Sequence, residues 1–236
     1  MSSNVVTYGG AESRDPSALP CTGIRCTIDV VQDTSLSGSN LIAPWVSLEL
    51  SNGYWAQIGY YETAGGAVEG FYQIWNLASN PESVIGGGTW SIVGGFGSHE
   101  FTIVWTGTGT EWHFMMDTTL VGIYDLGTAI SAGTSASQPF EALVEQQTQG
   151  GPTFSVPIVA FSVTFQSQQG GTWHDVATAT AYENGSYGVQ GRDQNGSLAA
   201  DQTLVGSAIA RVSSGTTLWT AEPAVDTLVT ITAIRA

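Results

Sequence analysis

An amide, Gln57, and two carboxylates, Glu141 and Glu145, are the side chains of this sequence whose setting suits hydrolytic chemistry. Gln57 lies in the stretch Trp45–Asn76, WVSLELSNGYWAQIGYYETAGGAVEGFYQIWN. Strand alternation places Trp55, Gln57, Gly59 and Tyr61 on one face and Ala56, Ile58 and Tyr60 on the other. The second set reads as core. The first combines aromatics, a primary amide and the gap left by a glycine, a face that can accept a ligand or simply stay wet. Glu141 and Glu145 belong to QPFEALVEQQ, where they share a face with Leu143 while Ala142 and Val144 point the other way. Two carboxylates beside an apolar residue is not an ordinary core pattern. A glutamate can activate water as a general base and then return the proton to a leaving amine. A neutral amide can donate a hydrogen bond to the oxyanion that develops. If the face of the glutamates is concave and lies opposite Gln57, the elements of an acid hydrolase are present. Pattern alone favours the plainer alternative, two solvated glutamates on an exposed face, because no spacing in the chain says that they meet Gln57.

The elements that must position these groups are strands. Glycine is abundant, at 30 of 236 residues, and no long stretch repeats at the helical period. Strands are expected at residues 22–32, Leu41–Leu50, Tyr54–Tyr61 and Gly70–Trp75, with residues 1–20 irregular. Ser51-Asn52-Gly53 and Ala64-Gly65-Gly66 read as turns. Further strands are expected at Thr89–Val93, His99–Trp105, Glu111–Met116, Leu120–Asp125, Gln138–Gln147 and Pro157–Gln166. The last four are Ala177–Tyr182, Ser186–Gln190, Leu204–Val212 and Thr227–Ala233. Short strands at this spacing predict an all-β, two-sheet antiparallel sandwich. No linker divides the chain, so residues 1–236 are expected to form one domain.

Charge narrows the partners. The formal net charge is -15, yet only 11% of residues are charged, and all five basic residues are arginines. A phosphate backbone needs a basic patch, so nucleic acid is not an expected partner. No run of about 18 apolar residues suggests a membrane span. The N-terminus MSSNVVTYGG has neither the basic start nor the apolar block of a signal peptide. A surface of Ser, Thr, Gln, Asn and Gly stays hydrated when carboxylates protonate, which suits an acidic, extracellular setting; drift in a GC-rich genome explains the composition equally well.

Other motifs carry less. Cys21 and Cys26 enclose TGIR, and a disulfide across so short a loop would stabilise only modestly. With no second cysteine pair, and with His99, His113 and His174 scattered, no metal-binding spacing exists. The triplets at Asn184 and Asn195 fit a glycosylation pattern common by chance. Gly86-Gly87-Gly88 and Gly94-Gly95 lack the lysine of a phosphate loop and read as turns.

Several blocks in order resemble the glutamic peptidases (eqolisins), acid endopeptidases with a concanavalin A-like, jelly-roll sandwich. Trp45-Val46-Ser47-Leu48-Glu49 resembles the family's W-V-G-I-D, and Ala56-Gln57-Ile58-Gly59 its L-Q-T-G. Phe71-Tyr72-Gln73-Ile74-Trp75 resembles W-Y-E-W-Y, and Phe140–Glu145 resembles A-E-W-I-V-E. Val156-Pro157, Phe161, Val163 and Phe165 follow its next strand. The resemblance covers about residues 41–166. It implies that Gln57 is the oxyanion amide and Glu145 the general base and acid, with no cofactor or metal. Trp45, Glu49, Trp55, Phe71, Gln73 and Glu141 would line the cleft for a polypeptide substrate, and the location would be extracellular. The chain departs from the pattern at Glu49 (an Asp in the family), Gln73 (a Glu) and Ala142 (a Trp). These departures suit a non-catalytic relative as well. The alternatives are therefore a binding module for glycans or a protein partner, with Trp45, Trp55, Tyr61 and Phe71 as contact surface, and a surface structural protein.

Overall fold

The computed structural model describes residues 4–13, 21–32, 36–50, 53–79, 83–92, 95–107, 109–126, 140–149, 159–167, 173–175, 180–183, 209–212, 218–223 and 229–234. Within these, all regular structure is strand. The strands that carry the candidate residues are β3 (Leu41–Leu50), β4 (Tyr54–Thr63), β5 (Val68–Asn76) and β10 (Phe140–Gln149). They lie side by side in one sheet with β1 (Asn4–Ser13), β6 (Ser83–Ser91) and β13 (Thr180–Glu183). The order is β13-β1-β10-β3-β4-β5-β6. The second sheet is built on β2 (Cys21–Val30), β7 (Gly97–Trp105), β8 (Glu111–Met116), β9 (Thr119–Asp125) and β11 (Val159–Ser167). It is extended by β12 (Trp173–Asp175), β14 (Ile209–Val212), β15 (Leu218–Pro223) and β16 (Val229–Ile234). Its order is β14-β16-β15-β11-β2-β7-β8-β9, with β12 also on β11. Only the β14–β16 pair is parallel among the described strands.

Alternation predicts the inner faces well. Val46, Leu48, Ile58, Tyr60, Ile74 and Val144 of the first sheet pack against Ile24, Ile28, Phe101, Ile103, Trp112 and Phe114 of the second. Burying each such side chain contributes about 1.5–3 kcal/mol. Tyr72 stacks on Phe114 at 4.5 Å between centroids, and Tyr60 donates to the Asp29 carbonyl at 3.0 Å while accepting from the Val31 N–H at 3.2 Å. These contacts lock β4 and β5 onto β2 and β8.

Four expectations are corrected. Residues 4–13 form a strand, because the backbone of this polar segment finds an antiparallel partner in β10 along its whole length. Gly86-Gly87-Gly88 lies inside β6 rather than in a turn. A Cβ at Gly86 would meet the Tyr124 ring at 2.3 Å, one at Gly87 the Tyr72 carbonyl at 2.7 Å, and one at Gly88 the Tyr72 ring at 3.0 Å. Neighbouring rings occupy the side-chain space at Gly86 and Gly88, and a backbone carbonyl crowds it at Gly87. Trp173–Asp175 and Leu218–Pro223 are strands that alternation did not reveal, held by pairing with β11. Finally, Cys21 and Cys26 stand on one strand, five residues and about 16 Å apart, where a disulfide spans at most about 7 Å. The bridge is not formed. The expected strand Ser186–Gln190 and the triplets at Asn184 and Asn195 lie outside the described residues.

Candidate active site on the outer face of the first sheet

Strand register decides which candidate residues meet. Glu141 pairs with Ser47, Ser47 with Gln57, Gln57 with Gln73, and Gln73 with Gly87. Directly opposed residues share a face, so these five form one row on the side away from the inter-sheet core. The next row is Leu143, Trp45, Gly59, Phe71 and Thr89. Glu145 pairs with Ala43, one row further on. Glu145 is therefore on the face of Gln57, but two strands across (about 10 Å) and four residues along (about 13 Å). Glu141 is also two strands across, in the same row.

The row is hydrogen-bonded in two segments. Ser47 Oγ donates to Glu141 Oε2 at 3.1 Å. Gln57 Nε2 donates to Gln73 Oε1 at 2.6 Å, and Trp75 Nε1 donates to the same oxygen at 3.2 Å. Gln57 is only 4% exposed, and its Oε1 has no hydrogen-bond partner among the described residues. Leaving a buried acceptor unmatched costs about 1–3 kcal/mol. A Cβ at Gly87 would lie in ordinary contact with Gln73 Cγ at 3.4 Å, and it is the Tyr72 carbonyl oxygen, at 2.7 Å, that it would crowd.

Apolar groups frame the row. Ala43, Trp45, Phe71 and Leu143 form a second buried cluster on this outer face, with Trp55 and Tyr61 partly buried against it. Trp45 meets Trp55 edge-on at 5.1 Å, and Trp55 contacts Trp75 at 6.4 Å. Trp45 is 2% exposed and Phe71 7%, which corrects the expectation that both belong to an open contact surface. They pack on each other's neighbours because Gly59 lets β3 close in; a Cβ there would sit 2.1 Å from the Pro44 carbonyl oxygen and 2.8 Å from Trp45 Cβ. Trp55 and Tyr61 stay half-buried. The Tyr61 hydroxyl donates to the Glu69 carboxylate, and this bond, with burial and the negative charge adding to it, pushes the phenol up to about 12. Glu49 pairs in register with Trp55, and of Glu49 only the backbone position is described.

Sequence reasoning missed the parts played by Ser47 and Trp75. Both were visible as alternation partners, Ser47 on the face of Trp45 and Trp75 two residues from Gln73, but only register shows that Ser47 fills the gap between Glu141 and Gln57. Among the described residues no group of three or more His, Cys, Asp or Glu is arranged for a metal ion, and no helix is long and apolar enough to cross a membrane.

No protein-family model and no curated protein matches the sequence. Solved structures do match. Scytalido-glutamic peptidase with a peptide-based transition-state analogue is 15% identical, with a TM-score of 0.51, over 93% of this chain and 100% of that one. SCP-B, a member of the eqolisin family of peptidases, in complex with the tripeptide Ala-Ile-His, is 13% identical, with a TM-score of 0.53, over 94% and 98%. The chain has the fold of the glutamic peptidases. The likeness extends well beyond residues 41–166, the part in which the sequence blocks resemble that family. At these identities it speaks for the two-sheet sandwich and leaves the chemistry to the residues of this chain.

Proposed function

We propose that the protein hydrolyses peptide bonds at acid pH, with Gln57 as the oxyanion amide and a β10 carboxylate as general base and acid. The observation that carries this reading is Gln57 itself: a buried amide with an unmatched carbonyl, on the sheet face that also holds both β10 glutamates. The carboxylate deprotonates a water, the hydroxide attacks the peptide carbonyl carbon, and the oxyanion accepts from Gln57 Nε2. Collapse of the tetrahedral intermediate breaks the C–N bond as the carboxylic acid hands its proton to the departing amine. No covalent acyl-enzyme forms, and no metal or cofactor has a step. Trp55 and Trp75 on one side of the row, and Tyr61 on the other, offer apolar surface to a polypeptide laid along the face. The hydrated, lysine-free composition fits work in an acidic, extracellular medium.

The resemblance to the glutamic peptidases gives the base role to Glu145. A second reading, favoured by register, gives it to Glu141, which shares the row of Gln57 and is already held by Ser47. Cleavage of an unfolded protein across about pH 2–7 by the wild type, Gln57→Ala, Glu141→Gln and Glu145→Gln separates them. Loss with Gln57→Ala and Glu145→Gln supports the first assignment; loss with Gln57→Ala and Glu141→Gln supports the second. A folded wild type that cleaves nothing removes the hydrolase reading and leaves a glycan- or protein-binding module, of whose four expected contact aromatics only Trp55 and Tyr61 remain accessible.

A further inference from the structure

An indole nitrogen can only donate a hydrogen bond. The two ends of a primary amide are nearly alike in shape, so its partners decide which end is which. Trp75 Nε1 lies 3.2 Å from one end of the Gln73 amide, which must therefore be the carbonyl oxygen. That oxygen also lies 2.6 Å from the Gln57 amide, so Gln57 must present its nitrogen. The carbonyl of Gln57 is then the end turned away from Gln73, and it is buried with no hydrogen-bond partner among the described residues. A chain of three donors and acceptors thus has a single direction, set at its far end by Trp75.

We propose that Trp75 and Gln73 are positioning residues that fix the orientation of the Gln57 amide and make it independent of pH. Neither the indole nor either amide titrates in the acid range. Both lone pairs of Gln73 Oε1 are used, one by Trp75 and one by Gln57, which leaves no vacancy for a competing donor. One Nε2 hydrogen of Gln57 is held by Gln73, which leaves the other for an oxyanion. A titratable side chain at position 73 would behave otherwise. As a carboxylate it accepts from Gln57 Nε2; as an acid it carries a proton that can be offered to Gln57 Oε1, which permits the reversed amide. The catalytic consequence rests on the hydrolase reading above; the hydrogen-bond chain does not.

The experiment follows the Gln57 side-chain amide by proton–nitrogen NMR across about pH 3–7, with turnover measured in parallel. In the wild type its resonances are expected to stay fixed across the range. Gln73→Glu is expected to make them titrate with a midpoint in the carboxylate range and to add an inflection to the pH profile of kcat. Trp75→Phe keeps a smaller ring beside Trp55 and removes the N–H. It is expected to shift the Gln57 resonances and lower kcat roughly threefold to tenfold, the worth of one hydrogen bond, with KM unchanged. Gln57 resonances that are the same in the wild type and in both variants would overturn the proposal. If one variant does not fold, the other gives the same readout. Resonances that move as expected in a protein that cleaves no substrate would uphold the relay and remove the hydrolase reading.

Discussion

Replacing Gln57 by methionine separates a functional amide from a structural one. Methionine keeps the unbranched length of glutamine and removes both polar atoms. Two terms compete. The unmatched Oε1 disappears, which returns about 1–3 kcal/mol, and the bond from Nε2 to Gln73 is lost, which costs about 0.5–1.5 kcal/mol. Gln73 Oε1 keeps Trp75 as a donor, so the substitution strands no new acceptor. The balance is a gain of about 1 kcal/mol, or roughly 2–4 °C in Tm for a chain of this size. Activity is expected to fall by at least about 100-fold, the usual loss when an oxyanion donor is removed. Urea unfolding with a tryptophan-fluorescence readout, beside cleavage of an unfolded protein at acid pH, measures both. A variant that is destabilised by about 1 kcal/mol or more would refute the reasoning, because it would make Gln57 a structural anchor whose carbonyl is satisfied after all.

Three further outcomes follow from the same contacts. Gly59→Ala forces β3 and β4 apart, since the new Cβ would lie 2.1 Å from the Pro44 carbonyl oxygen; a loss of about 3 kcal/mol or more is expected in thermal unfolding, against about 1–2 kcal/mol for Gly38→Ala, where φ is 64° and nothing lies within 4 Å. At Asp117 burial pushes the carboxyl up, but the hydrogen bonds from His99 and the Glu100 N–H, with the charge of His99, outweigh it and hold it below its ordinary value. A depressed folded value adds stability above the unfolded value and loses it as pH falls through the folded one. The stability deficit of Asp117→Asn is therefore expected at neutral pH and should shrink below about pH 4 in parallel melts. Tyr61 runs the other way: its phenol is raised, so its contribution is intact below about pH 10 and is lost as pH rises toward about 12. Glu69→Gln removes the carboxylate partner and should bring the Tyr61 phenolate midpoint back toward about 10 in an absorbance titration.

The central strands were legible because inward and outward residues alternate along them, even where both faces are buried. The pattern of Ala56, Ile58 and Tyr60 against Gln57, Gly59 and Tyr61 survives intact in β4, and Glu111–Met116 was delimited to the residue. Elements without an apolar rhythm were not legible. Asn4–Ser13 is a strand because β10 offers it partners, and a partner distant in sequence leaves no local trace. The glycines of β6 looked like a turn because their cause, the rings of Tyr72 and Tyr124 and the Tyr72 carbonyl, comes from other strands.

By itself the sequence determined the kinds of group available: a neutral amide and two carboxylates on outward strand faces, no lysine, and a core period of two. It also determined the inner face of each central strand, because burial of apolar surface follows directly from alternation. Which groups stand together was decided only by tertiary structure. Register put Ser47 and Glu141 in the row of Gln57 and Glu145 two residue pairs along, a choice invisible to alternation because every second residue shares the same face. The direction of the Gln57 amide was likewise decided in three dimensions, by an indole on the neighbouring strand that can give a hydrogen bond but not accept one.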